Sequence, residues 1–165
     1  MLNFTICFIR RNNELLLLNR VKAPNMGLWN GVGGKIEPFE QPIDGIIREI
    51  QEETGISVRN VQDAGIVKWV SSEGESGMYL YYCELPNDTV YATPIEKDEG
   101  VLAWKSIDWV LDHRNKGVVD NMKHFLPHML AGNFDCEHIF TYDDSGIVHY
   151  QCCELTTKKR SSSNA

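Results

Sequence analysis

No segment of this chain is apolar for long enough to cross a bilayer as a helix. That takes about 20 predominantly apolar residues, and polar or charged residues interrupt every run before then. The opening M-L-N-F-T-I-C-F-I-R-R has no basic stretch followed by a long apolar one, so no signal peptide and no membrane partner are expected. Cysteine is sparse and unpatterned: five residues, an odd number, with no C-x-x-C spacing. That argues against a disulfide framework, offers no spacing for a cysteine-built zinc site, and points to reduced thiols in a cytoplasmic protein. Positive charge is also in short supply. Lys and Arg number 16 against 23 Asp and Glu, for a net charge of −7. A broad polyanion-binding surface does not fit that balance, so a nucleic-acid polymer is not an expected partner. A small phosphate substrate does fit, because a bound cation inverts the local field.

The 165 residues suffice for one domain with a real core. We place that domain at residues 1–155. The tail 156–165 (T-T-K-K-R-S-S-S-N-A) is polar and basic and is predicted to be disordered. No internal repeat is visible. Residues 3–9 and 14–19 alternate like strands, with Asn12-Asn13 as a hairpin turn. Residues 21–28 read as a loop, and the glycine-rich tract 29–35 as a bend or a close backbone approach. Further strands are predicted at 56–70, 78–84 and 101–105, with 71–77 as a polar turn. Residues 107–112 and 118–130 look helical. A last hairpin is expected from 134–142 and 147–151, turning at Asp143-Asp144-Ser145-Gly146. His124 and His128 lack the Glu of H-E-x-x-H and read as helix-surface residues.

One stretch carries chemistry. A helix is predicted to start at Gln41-Pro42, where proline suits the first turn, and to stop at Gly55. Ile43, Ile46, Ile47 and Ile50 fall at i, i+3, i+4 and i+7 and form its predicted buried stripe. Gly45 costs about 1 kcal/mol against alanine there, which indicates close packing. Glu49, Glu52 and Glu53 share another face, roughly 120° around at about 100° per residue. Such a face is either simply solvated or neutralised by a divalent cation. Oxygen-only ligands select Mg²⁺ or Mn²⁺ over Zn²⁺.

The register of that face carries a resemblance. Gly34, five residues, Glu40, seven residues, then Arg48-Glu49-Ile50-x-Glu52-Glu53-x-Gly55-Ile56 matches the Nudix box G-x5-E-x7-R-E-U-x-E-E-x-G-U at every fixed position. The chain therefore resembles Nudix hydrolases. The resemblance implies an α/β/α sandwich around a mixed sheet, and Mg²⁺-dependent hydrolysis of a nucleoside diphosphate linked to another group. It implies metal binding by Glu49, Glu53, Glu52 and the Gly34 carbonyl, with Arg48 holding the carboxylates. The general base is left open between these glutamates and one from a later loop.

Outside the box the chain is similar to MutT-type oxidised-purine nucleoside triphosphatases. Phe4-Thr5-Ile6, the tract Gly27-Leu28-Trp29-Asn30-Gly31-Val32-Gly33-Gly34-Lys35, and Thr93-Pro94-Ile95-Glu96-Lys97-Asp98-Glu99 carry that likeness. It implies purine contacts from Thr5 and Asn30, a base-edge role for Asp120 and Asn121, and Glu99 near the metals. Each has a plainer reading. Asn30 also suits a turn, Asp120-Asn121 a helix N-cap, and Trp29 a core or rim aromatic rather than a base contact. Arg20 and Lys35 are either surface charges or phosphate contacts. Val118-Val119 stand where that branch has an aromatic, and Lys68 replaces an expected pocket aromatic next to Trp69.

The expected activity is conversion of nucleoside triphosphates to monophosphate and pyrophosphate, with 8-oxo-dGTP as the leading substrate, by a monomer or homodimer. The alternatives are another nucleotide pyrophosphatase, for instance on ADP-ribose, and a Nudix-fold sensor that binds without cleaving.

Overall fold

The computed structural model describes residues 1–155; the predicted tail lies outside the described residues. Two strands, β1 (Phe4–Arg11) and β2 (Glu14–Arg20), form a hairpin with Arg11 opposite Glu14. Asn12 takes a left-handed φ of 53° in its turn, a conformation asparagine tolerates better than most residues. The short strands β3 (Trp29–Asn30) and β4 (Val32–Lys35) pair with β2 and β1. The glycine-rich tract thus forms two short strands that change partner from β2 to β1 at Gly31. Its glycines also serve close approach: a Cβ on Gly33 would lie 2.1 Å from the Thr5 carbonyl oxygen.

The long pair β5 (Gln62–Ser71) and β6 (Gly74–Glu84) follows α1 (Pro42–Thr54). Residues 56–61, predicted as strand, are not part of β5. The predicted polar turn shrinks because pairing runs down to Ser71 opposite Gly74, whose φ is 126°. Next come β7 (Ile95–Lys97), which the sequence reading did not anticipate, and β8 (Gly100–Ser106). The helices α2 (Ile107–Leu111) and α3 (Met122–Leu130) precede a final hairpin of β9 (Cys136–Asp143) and β10 (Gly146–Glu154). The helix predicted from 118 starts only at 122. Val118 and Val119 instead run beside Trp29, with the Val119 amide donating to the Trp29 carbonyl at 3.1 Å.

All strands join one sheet in the order β10-β9-β5-β6-β1-β2-β8-β7, with β3 and β4 off the path. The β1–β6 and β5–β9 pairs are parallel and the rest antiparallel, so the sheet is mixed. Both faces of β1 are buried. Ile6 and Phe8 enter a core shared with α2 and α3, while Cys7 and Ile9 enter one shared with α1. This is the expected α/β/α sandwich. No helix among the described residues is long and apolar enough to cross a membrane.

The helix α1 carries Glu49, Glu52 and Glu53. Gly55 ends it in the left-handed region (φ 76°), its amide donating to the Gln51 carbonyl. Its buried face is Pro42, Gly45, Ile46, Ile50 and Thr54. Ile43, predicted inside, is 38 % exposed, and Ile47 is only half-buried. The seam is rotated toward the small residues, because Gly45 lets Glu40 lie against the helix. A Cβ at Gly45 would sit 2.9 Å from Glu40 Oε1.

Candidate active site

Arg48, midway along α1, ties the helix to the loop before it. Its Nε donates to Glu40 Oε2 at 2.8 Å and its Nη2 to Glu40 Oε1 at 2.9 Å. Nη1 donates to Glu49 Oε1 at 3.0 Å and Glu52 Oε2 at 3.1 Å, and Nη2 also to the Lys35 carbonyl at 3.2 Å. All five guanidinium N–H groups are thereby used. The fork on Glu40 holds that carboxyl below the usual carboxylate range. It also pushes the guanidinium further from deprotonation. The loop at 37–40 is tied to the helix in this way, and Glu49 and Glu52 are held in place.

The helix lies against β4. A Cβ on Gly34 would fall 2.6 Å from Glu49 Oε1, so only glycine lets the carboxylate approach the strand this closely. Burial raises the Glu49 pKa, Arg48 opposes the shift, and Glu52 and Glu99 add to it. Glu53 is the more extreme case. Burial, then Glu49 and Glu99, push its pKa up to about 8, against the Gly33 backbone amide and Arg20. Its Oε2 is buried with no hydrogen-bond partner. A buried carboxylate oxygen without a partner costs on the order of 1–3 kcal/mol or more. A cation would remove that cost and reverse the shift. The donors (Glu49, Glu53, the exposed Glu52, Glu99 and the Gly34 carbonyl) are all oxygen, so the set fits a hard divalent ion.

Glu99 reaches the cluster through strand pairing. Arg20 stands opposite Gly100 in the β2–β8 ladder, and the Val21 amide donates to the Glu99 carbonyl at 3.2 Å. Arg20 Nε donates to the carbonyls of Pro24 (2.9 Å) and Lys22 (3.4 Å). Thr5 is buried in β1 and donates to the Gly34 carbonyl at 3.4 Å. Lys35 is exposed.

On the α3 side a cleft of about 720 Å³ opens between the β3 region, the β5–β6 pair and the segment entering α3. Asn30, Trp69, Met78, Asp120, Asn121 and Tyr142 line it. The structure brings Asn30, Asp120 and Asn121 together, while Thr5, Trp29 and Lys35 stand off its walls. Asn30 Oδ1 accepts from the Gly31 amide at 2.9 Å. Asn121 is buried at the N-cap of α3 but makes no capping bond from its side chain. Asp120 Oδ1 accepts from the Tyr142 hydroxyl at 3.1 Å. Trp29 packs against the core with Lys105 Nζ 4.4 Å from its ring centroid. Its backbone anchors the cleft wall at Val118-Val119.

Trp69 and Tyr142 are two of the cleft residues to which the sequence reading gave no role. Trp69 lines the wall, whereas Lys68 pairs with Glu137 Oε1 at 2.9 Å. The register shift between Asp63 and Gly65 sets the alternation that sends Val67 and Trp69 to one face. Period-two counting from Val67 finds this signal. Tyr142 is the other, and no local pattern ties it to Asp120.

The arrangement is a carboxylate-rich helix seated on a glycine strand beside an apolar cleft with amide and acid groups, in an α/β/α sandwich. It defines a class of hydrolase built to hold a cation next to a ligand. The NUDIX domain model matches residues 1–129, and the chain belongs to the Nudix family, whose members generally use divalent metal ions. Within that family the chain is a MutT-like hydrolase. It is 29 % identical over 140 residues to the uncharacterized Nudix hydrolase YvcI of Bacillus subtilis, covering 84 % of this chain and 85 % of that one. It is 25 % identical over 154 residues to the oxidized purine nucleoside triphosphate hydrolase of Mus musculus, covering 92 % and 94 %. The MutT protein structure from Bacillus halodurans superposes with a TM-score of 0.74 at 26 % identity, covering 92 % of this chain and 97 % of that one.

Proposed function

We propose that this chain is a Mg²⁺-dependent nucleoside triphosphate pyrophosphohydrolase. It releases monophosphate and pyrophosphate, and oxidised purines such as 8-oxo-dGTP are its leading substrates. The observation that carries this reading is the unpartnered Glu53 oxygen beside Glu49 and Glu99, next to a cleft wall bearing Asn30, Asp120 and Asn121. The name and near-complete coverage of the mouse relative support the substrate class.

Glu49, Glu53, Glu52, Glu99 and the Gly34 carbonyl would hold Mg²⁺ or Mn²⁺. When bound, the ion neutralises pyrophosphate charge and lowers the pKa of its water. Arg48 keeps Glu49 and Glu52 aimed. One of the glutamates takes the proton of the attacking water. Asn30 and Asn121 each offer an amide that both donates and accepts to a purine edge, and Asp120 adds an acceptor. Trp69 supplies an apolar face for the base. Arg20 and Lys35 are the cations for the phosphate chain. The reduced-thiol composition supports a cytoplasmic setting.

A pyrophosphate-release assay with and without Mg²⁺ tests the reading, run over canonical and oxidised triphosphates and ADP-ribose. Mg²⁺-dependent release, fastest with oxidised purines, is the expected result. Binding without release would favour a sensor, and faster turnover of ADP-ribose would reassign the substrate. Asn30→Ala is expected to weaken purine triphosphates more than pyrimidine ones; an equal loss for both would reduce Asn30 to a turn residue.

A further inference from the structure

Two cysteines and a histidine meet at the end of α3 opposite Asn121. His128 lies in the last turn of α3, Cys136 opens β9, and Cys152 sits in β10. In the β9–β10 ladder Cys152 stands opposite His138 and Glu154 opposite Cys136. The two thiols are therefore diagonal neighbours on one face of the hairpin. α3 packs on that face, bringing the His128 ring 5.4 Å from that of His138 and the His124 ring 5.0 Å from that of Tyr150. One ligand atom each from His128, Cys136 and Cys152 lies within 4.8 Å of the other two.

We infer that His128, Cys136 and Cys152 form a binding site for a thiophilic d¹⁰ cation, Zn²⁺ above all, separate from the glutamate cluster on α1. Two thiolates and an imidazole are donors that select zinc over Mg²⁺. Tetrahedral coordination at about 2.3 Å to sulfur and about 2.0 Å to nitrogen puts donors roughly 3.5–3.8 Å apart. Ligand atoms within 4.8 Å reach that by small side-chain rotations. The thiols suit an ion better than a disulfide. Diagonal cross-strand Cα atoms stand about 7–8 Å apart, beyond the usual disulfide span of up to about 6.8 Å.

The surroundings favour a cation. Asp135 and Glu154 place negative potential on Cys136. The Tyr150 hydroxyl neighbours Cys152 and lies 2.9 Å from His138 Nδ1. Cys152 is exposed and offers the ion a way in, while Cys136 is buried. Each Zn²⁺ bound displaces two thiol protons and takes a neutral imidazole, leaving the fourth position to water. Cys136 and Cys152 both lie beyond residue 129, where the family match ends. Both thiols of the site therefore come from this chain's C-terminal hairpin. A bound ion pins α3, which follows Asp120 and Asn121, to the hairpin that carries Tyr142 on the cleft wall.

The test titrates the reduced full chain with Co²⁺ as a spectroscopic probe, then with Zn²⁺ in competition. The expected result is one equivalent of Co²⁺ with a thiolate-to-cobalt charge-transfer band, lost on adding Zn²⁺, with two protons released per ion. Cys152→Ser abolishes the band and His128→Gln weakens binding, whereas Cys153→Ser and Glu53→Gln keep the band. Cys152 is exposed and His128 half-buried, so both variants should fold, as circular dichroism would check. Zn²⁺ should also raise the melting temperature of the parent more than that of Cys152→Ser. Absence of the band, its survival in Cys152→Ser, or a Cys136–Cys152 disulfide in freshly isolated protein would each overturn the site.

Discussion

Glu53 has the least favourable environment of any acidic side chain in the box. Its burial, the neighbouring Glu49 and Glu99, and an oxygen with no partner all disfavour the charged form. Folding therefore gains nothing from the Glu53 charge, and on the proposed function the residue's value lies in the cation it would hold. Glu53→Gln keeps the shape and removes the charge. We expect turnover to fall by orders of magnitude while the metal-free melting temperature stays at or above that of the parent. Calorimetry without metal and a pyrophosphate assay with Mg²⁺ separate the two effects. Retained turnover would remove Glu53 from the metal set. Glu40 shows the opposite electrostatics. Its folded pKa is lowered from 4.5, first of all by the Arg48 hydrogen bonds. Its contribution to stability is therefore fully present above the unfolded value near 4.5 and is lost as pH falls through the lower folded value. Glu40→Gln should cost about 1–3 kcal/mol at neutral pH, and the gap to the parent should close in acid. A gap that stays constant down to about pH 3 would mean that the carboxylate charge is not what Arg48 needs.

Strand β4 sorts two adjacent glycines into different roles. A Cβ on Gly33 would meet backbone, 2.1 Å from the Thr5 carbonyl oxygen and 2.7 Å from Ile6 Cα. Neither atom can move without breaking the β1–β4 ladder. A Cβ on Gly34 would meet the Glu49 carboxylate instead, the end of a side chain. Gly33→Ala should therefore cost about 2–4 kcal/mol of stability, read from the urea midpoint. Gly34→Ala should cost much less stability but sharply lower turnover by displacing Glu49. Similar urea midpoints for the two variants would contradict this division. The same tract marks where the sequence stopped being legible. The glycines announced close approach, yet only the partner strand shows that the approach makes β4. The box, its helix and its C-cap were readable because each depends on local spacing. Ile43 was misplaced because an apolar count ignores Gly45 and Pro42, the small residues on which α1 seats. Asn121 occupies the cap position but makes no side-chain capping bond, since the chain from Val118 follows Trp29 rather than a helix. The meeting of His128 with Cys136 and Cys152 left no trace in cysteine spacing, because a hairpin and a helix assemble it.

Across the whole molecule, two cores share one sheet. Phe125 and Phe8 pack on the α3 face with ring centroids 5.7 Å apart, and Ile50 and Ile9 lie in the core on the α1 face. Adjacent residues of β1 feed opposite cores, so neither layer can loosen without exposing the strand that supports the other. That coupling matters for function, since the glutamates ride on α1 and the cleft is walled from the α3 side. Phe125→Ala and Ile50→Ala each empty a fully buried site and should cost about 3–5 and 2–5 kcal/mol. We expect each variant to unfold in a single transition, with amide exchange accelerating in α1 and α3 alike whichever core is cut. Exchange confined to α3, β9 and β10 in Phe125→Ala would divide residues 1–155 into two units. The cleft proposed to take the base would then be able to fail while the carboxylate cluster stayed intact.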